Sequence, residues 1–202
     1  MFAKPQMLIP YLLLVAALAG VGLWWQAHQA PDSPLLGKVI TTGSIDVGGP
    51  FTLTDQHGKR VSSSDFRGRY QLVYFGYSMC PDVCPTTLAV MSAALDKMGI
   101  DQSRIVPVFI TIDPDRDTPA VLKKYMAAFG PRFVGLTGKP DEIADVEKEF
   151  RVYARKQPLA GGKYGMDHSS VIYLMGPDGK LVGFYDDPIS PEDLAKDLKK
   201  KI

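Results

Sequence analysis

The chain is 202 residues long, and its lysines and arginines nearly balance its aspartates and glutamates, leaving a net charge of +1. So even a balance lacks the basic footprint of a protein that neutralises many phosphates, and no nucleic-acid partner is expected. With no internal repeat and no low-complexity tract, the residues after the N-terminal segment suit one compact domain.

From Leu8 to Trp25 no residue is charged, a run long enough to span the ~30 Å hydrocarbon core of a bilayer. A cleaved signal would need small residues near its end, but cleavage after Ala27 or Ala30 places Trp25 or His28 at the −3 position, so an uncleaved anchor over residues 1–25 is expected. Lys4 precedes the span and no lysine or arginine follows until Lys38, which by the positive-inside rule puts the remainder outside the cytoplasm. The head is too short and too poor in Arg and Ser for a mitochondrial transit peptide. The expected location is therefore the bacterial inner membrane, single-pass, with the body in the periplasm. Residues 26–38, polar and carrying Pro31 and Pro34, read as a tether, and the body as residues 39–202.

Phe51-Thr-Leu-Thr and Arg60-Val61 flank the turn Asp55-Gln-His-Gly58 and predict two short strands, with His57 in the turn. Leu72-Val-Tyr-Phe75 is continuously apolar, as a strand buried on both faces should be. Leu88, Met91, Leu95 and Met98, followed by Gly99, predict a helix with Pro85 in its first turn. Val108 to Ile112 is a second buried strand, with Pro107 expected to mark its start. Thr118-Pro119 opens another helix, Phe133 to Leu136 is a short strand, and Ile143, Val146 and Phe150 mark a third helix. Tyr164 to Ser170 reads as a polar loop leading into a hairpin, Val171 to Leu174 and Leu181 to Tyr185. Ser190-Pro191-Glu192 then caps a last helix with a solvated, lysine-rich end. This order predicts an α/β fold, a mixed central sheet with helices on both faces.

The two cysteines, Cys80 and Cys84, lie between the buried strand and the first helix. A disulfide closing so small a loop would stabilise the fold little, which leaves a redox couple or a pair of thiolate ligands. Cys80 precedes a proline and is biased to extended backbone, whereas Cys84 stands at a helix start; both thiols are expected to ionise more readily than free cysteine. In a regular helix their Cβ atoms would lie roughly 5–6 Å apart, wider than the ~3.8 Å of a relaxed disulfide, a separation that suits two sulfurs bridged by a metal. Because Cys80 lies in the loop, reversible oxidation stays open. Except for linear monovalent copper, a metal needs a further ligand, and His168 is the candidate, ahead of His28 and His57. Asp167 is a candidate partner of that histidine or a weak ligand. Met79 and Met166 are candidate transient contacts for a soft metal. Asp113, Asp115 and Asp117 lack the glycine and the glutamate of a calcium loop and read as structural or partner-facing.

Tyr77-Ser-Met-Cys-Pro-Asp-Val-Cys-Pro-Thr86, Thr111-Ile-Asp-Pro-Asp-Arg-Asp-Thr-Pro119, and Asp167-His168 leading into Tyr173-Leu-Met-Gly-Pro-Asp-Gly179 together resemble the Sco/SenC family of copper-binding assembly proteins. The resemblance runs from about Gly48 to Ile202 with the segments in the family's order. It implies a thioredoxin-like fold, a membrane-anchored body, and copper, Cu(I) or Cu(II), bound by two cysteines and one histidine at Cys80, Cys84 and His168. It further implies delivery of that copper to the dinuclear CuA centre in subunit II of cytochrome c oxidase, with a periplasmic copper donor or thiol reductase as a second partner. The alternative it leaves open is a thiol-disulfide oxidoreductase that reduces the CuA cysteines. Against that stand the three-residue spacing and the missing tryptophan of thioredoxin-type motifs. Zinc is the plain alternative for the metal, but the sequence offers no third cysteine and no paired histidine motif.

Overall fold

The computed structural model describes residues 47–202 and, before them, Leu18 alone. The chain divides into two units at Leu35/Leu36. Leu18, helical and exposed, lies in the first, and residues 47–202 in the second. The predicted anchor (1–25, Leu18 apart), the tether (26–38) and His28 lie outside the described residues. Among the described residues, no helix is long and apolar enough to cross a membrane.

Among the described residues from 47 on, nine strands and four α-helices follow in chain order. They are β1 (Thr52–Asp55), β2 (Arg60–Ser62), β3 (Tyr70–Gly76), α1 (Val83–Met98), β4 (Ile105–Thr111), α2 (Pro119–Ala127), β5 (Val134–Thr137), α3 (Pro140–Glu149), β6 (Ala154–Pro158), β7 (Tyr164–His168), β8 (Val171–Met175), β9 (Leu181–Asp186) and α4 (Pro191–Lys201). Seven strands form one sheet in the order β2-β1-β5-β4-β3-β8-β9, while β6 and β7 pair separately as an antiparallel ribbon. The β3-β4-β5 centre is parallel, and β1, β2, β8 and β9 join antiparallel, giving the expected mixed sheet.

Strand β3 is central because Leu72, Val73, Tyr74 and Phe75 bury both of its faces, each side chain contributing about 1.5–3 kcal/mol of transfer free energy. Its alternation separates two layers. Phe75 packs with Phe150, just after α3, and with Tyr173 on one face. On the other, Tyr74 meets Phe109, which meets Tyr125 of α2. Helices α1 and α4 pack together, and the hydroxyl of Tyr185 donates to Asp197 of α4 at 2.9 Å. Helices thus cover both faces.

Helix starts follow local chemistry. Thr118 accepts from the Val121 N–H and Ser190 from the Asp193 N–H, each with proline at the first helical position. Three expectations need correction. Pro107 is the third residue of β4, not its start; pairing with β5 begins one residue later, at Val108, so the missing N–H costs no ladder bond to that neighbour. Tyr164 to His168 is a strand, not a loop, because its register with β6 satisfies its backbone (Ala154 opposite His168, Pro158 opposite Tyr164). The lysine-rich helix end is not wholly solvated: Lys201 lies 3.1 Å from Asp197 and over the Tyr185 ring.

Candidate metal centre

Parallel strands present their carboxyl ends on one edge, and the loops after β3 and β4 meet there. Gly76 ends β3, and Tyr77 to Asp82 carry the chain into α1. Cys80 lies in that loop, half-buried, while Cys84 is the second residue of the helix and fully buried. The loop is pinned by Asp117, itself fully buried, which accepts from the Ser78 N–H at 3.0 Å, from the Ser78 hydroxyl and from the Thr111 hydroxyl at 2.6 Å.

The ribbon supplies the third group. His168 ends β7, and its Nε2 stands 3.5 Å from Cys84 Sγ. One ligand atom from each of Cys80, Cys84 and His168 lies within 4.8 Å of the others. Cys80 and His168 border a cavity of about 290 Å³ that Tyr77, Val83 and Met166 also line, with Cys84 buried behind them. Among the described residues this is the one cluster of three or more potential metal-ligating side chains. His168 Nδ1–H donates to the Ser169 carbonyl at 2.9 Å, so in the neutral ring the lone pair of Nε2 faces the sulfurs. Its ring meets Tyr77 and Tyr74 edge to face, at 6.0 and 6.4 Å between centroids.

The two thiols are not equivalent. Hydrogen bonding from Cys84 draws Cys80 far below the ordinary thiol range; burial opposes this, but the His168 imidazole and the N–H groups of Cys84 and Asp82 reinforce it. The Cys84 N–H points at Cys80 Sγ at 3.4 Å. Cys84 moves the other way, raised first by its hydrogen bond to Cys80 and then by burial. The expectation that both ionise readily therefore fails for Cys84: the position at a helix N-terminus is outweighed by a neighbouring sulfur that takes the negative charge first. On His168 burial works against the charge, but the Cys80 thiolate and the Ser169 carbonyl outweigh it and raise its pKa.

The remaining candidates separate. Asp167, a candidate partner of His168 or weak ligand, is exposed, and the imidazole Nδ1–H is taken by the Ser169 carbonyl. His57 sits in the β1–β2 turn, away from the cluster. Met166 lines the cavity, while Met79 is 64% exposed. Asp113 and Asp117 are buried acceptors and Asp115 pairs with Lys156 at 2.6 Å, so the acidic loop is structural. Sequence reasoning passed over Gly76, Tyr77, Arg116 and Tyr164. Only Gly76, a glycine between an apolar strand and the cysteines, left a signal.

The SCO1/SenC family model matches residues 40–202. The chain belongs to the SCO1/SenC family. Among its relatives, Protein sco1 of Schizosaccharomyces pombe is 42% identical over 192 residues, covering 91% of this chain and 73% of that one. A SCO2-like protein of Rickettsia felis is 41% identical, covering 95% and 96%. The structure of Bradyrhizobium japonicum ScoI with copper bound superposes with a TM-score of 0.73 at 47% identity, covering 77% of this chain and 99% of that one. Yeast Sco1 with copper bound gives 0.70 at 37% identity, covering 76% and 87%. The chain thus has the thioredoxin-like Sco fold, as its motifs led one to expect.

Proposed function

We propose that this SCO1/SenC protein is a copper metallochaperone. The observation that carries the reading is the convergence of Cys80, Cys84 and His168 within 4.8 Å in a chain similar to Sco proteins solved with copper bound. The donor set fits the cargo: soft thiolates select Cu(I), imidazole also serves Cu(II), and two sulfurs with one nitrogen can hold either state. Zinc fits less well, because structural zinc sites are closed by four protein ligands and this cluster offers three. Residues 1–25 would anchor the body to the bacterial inner membrane, with residues 39–202 in the periplasm. Copper would pass by ligand exchange to the thiolates of the CuA site in subunit II of cytochrome c oxidase. A solvated mouth and a half-buried Cys80 suit such exchange, since an incoming thiolate can reach the metal from the cavity.

The unequal thiols favour a second reading, reduction of a partner disulfide. Cys80 thiolate would attack one partner sulfur, forming a mixed disulfide and releasing the other as thiolate. Cys84 would then lose its proton and attack Cys80 Sγ, freeing the second partner thiol and closing the Cys80–Cys84 disulfide. An anaerobic copper titration of the reduced full-length chain beside His168→Ala separates the two. One tightly bound copper per chain, with Cu(II) held about 10-fold or more weakly in the variant, supports the chaperone. No specific copper binding by the reduced dithiol leaves disulfide exchange as the function.

A further inference from the structure

Arg116 lies in the loop between β4 and α2 and touches none of the three donor atoms, yet its contacts converge on His168. Its Nε–H donates to the buried Asp113 carboxylate, which also accepts from the Tyr164 hydroxyl at 2.9 Å. Its Nη1–H donates to the Tyr164 carbonyl at 2.9 Å. The guanidinium carbon stands 3.8 Å from the centroid of the Tyr164 ring and 5.8 Å from that of Tyr77. Tyr77 in turn presents its ring to the imidazole of His168 at 6.0 Å and an interplanar angle of 87°. One cation therefore grips the first residue of β7 and backs the ring against which the last residue of β7 rests.

The ribbon needs such a grip. Arg155, Lys156, Gln157 and Pro158 of β6 are exposed, so the strand that pairs with β7 contributes little apolar burial. The Lys156–Asp115 ion pair is about half exposed at both ends, where such pairs contribute little. What remains between the ribbon and the β4–α2 loop is Asp113, Arg116 and Tyr164, two hydrogen bonds of which involve a charged group and are the stronger for it.

Taking the proposed copper function as given, we propose that Arg116 is the positioning residue for His168. Held by Asp113, it sets the place of β7 and, through Tyr77, the angle at which the imidazole meets the sulfurs. The role separates the two oxidation states of the cargo. Cu(I) can be held by two thiolates alone, whereas Cu(II) draws on the imidazole, so a misplaced His168 costs Cu(II) far more.

The test is a double-mutant cycle on the full-length chain: wild type, Arg116→Lys, His168→Ala and the double variant, each titrated with Cu(II) and with Cu(I). Lysine keeps the charge and loses the planar fork. Arg116→Lys is expected to lower Cu(II) affinity about 10-fold, as loss of an orienting partner does, and to weaken the imidazole nitrogen coupling in the Cu(II) resonance spectrum. In the His168→Ala background the same change should cost less than about twofold, because the residue through which it acts is gone. Tyr77→Leu, which keeps the Arg116 contacts to β7, should show the same selective loss of Cu(II). Equal losses in both backgrounds, or equal losses of Cu(I) and Cu(II), would make Arg116 a general stabiliser and overturn the proposal; so would unchanged Cu(II) affinity. Wild-type protein that takes up no copper would instead defeat the chaperone reading itself.

Discussion

A β-carbon on Gly76 would lie 2.8 Å from the Sγ of Cys84, and 3.0 and 3.2 Å from the rings of Phe109 and Tyr74. No left-handed backbone explains this glycine; it is there because the end of β3 and the start of α1 come too close for any side chain. Gly76→Ala must push Cys84 or Phe109 aside, and both are fully buried. The expected cost is about 1–3 kcal/mol of stability from overpacking. Copper affinity should fall as well, because the displaced atom is one of the three proposed ligand atoms. Chemical denaturation and a chelator-competition titration check the two effects, and a variant that loses stability while binding copper like wild type would show that the helix start yields without moving Cys84.

The sharing of one proton between Cys80 and Cys84 predicts unequal reactivity. Cys80 is half-buried and holds its negative charge well below the ordinary thiol range, whereas Cys84 is inaccessible and keeps its proton. Alkylation of the metal-free reduced protein should therefore label Cys80 first, at a rate nearly constant from about pH 8 to pH 5. A free cysteine would slow about tenfold for each unit below its pKa of about 8.5. Peptide mass spectrometry after short exposure to iodoacetamide reads both. Preferential labelling of Cys84, or the tenfold fall per unit, would contradict the assignment.

Asp117 offers a prediction about the scaffold. Its carboxylate is fully buried and accepts from Ser78, two residues before Cys80, and from Thr111 at the end of β4. Asp117→Ala strands the buried Thr111 hydroxyl and the part-buried Ser78 N–H and hydroxyl, at a cost of about 3 kcal/mol. Asp117→Asn, with one oxygen left to accept, should fall between. Urea denaturation measures both, and a loss below about 1 kcal/mol for the alanine variant would mean that the freed donors find water.

These residues show what the sequence could reveal and why it stopped. The run Leu72–Phe75 was legible because both faces of β3 are buried, and the start of α2 because Thr118-Pro119 is a cap in its own right. Strand β7 was not, since its pairing partner β6 is exposed and polar and leaves no apolar alternation to read; contacts with Asp113 and Arg116, some fifty residues earlier, tie it down. Pro107 misled because local chemistry makes proline a strand boundary, whereas its place in β4 depends on where β5 begins. Cys84 misled for a similar reason: the helix start was legible, but the neighbouring thiolate and full burial come from the tertiary structure. Spacing alone preferred His168 to His28 and His57 without proving it. The fold brings His168, of the described histidines, within reach of both sulfurs.

Glu147 on α3, remote in sequence from every proposed ligand, makes the stability of the domain depend on pH. Burial alone pushes its carboxyl from the ordinary 4.5 up to about 7. Between these values the folded state keeps a proton that the unfolded chain has released. Stability therefore falls as pH rises from about 4.5 to about 7 and changes no further above that. The sign is opposite to that of an ion-paired glutamate, and no ion pair holds Glu147 among the described residues. Glu147→Gln removes the cost of the buried charge. The variant should match wild type near pH 4.5 and exceed it at pH 8 by roughly 1 kcal/mol, a value discounted for the solvent that still reaches the group. Urea denaturation at the two pH values decides the matter: an offset between variant and wild type that is the same at both would show that the glutamine acts through packing and that Glu147 is already ionised in the folded protein at acid pH.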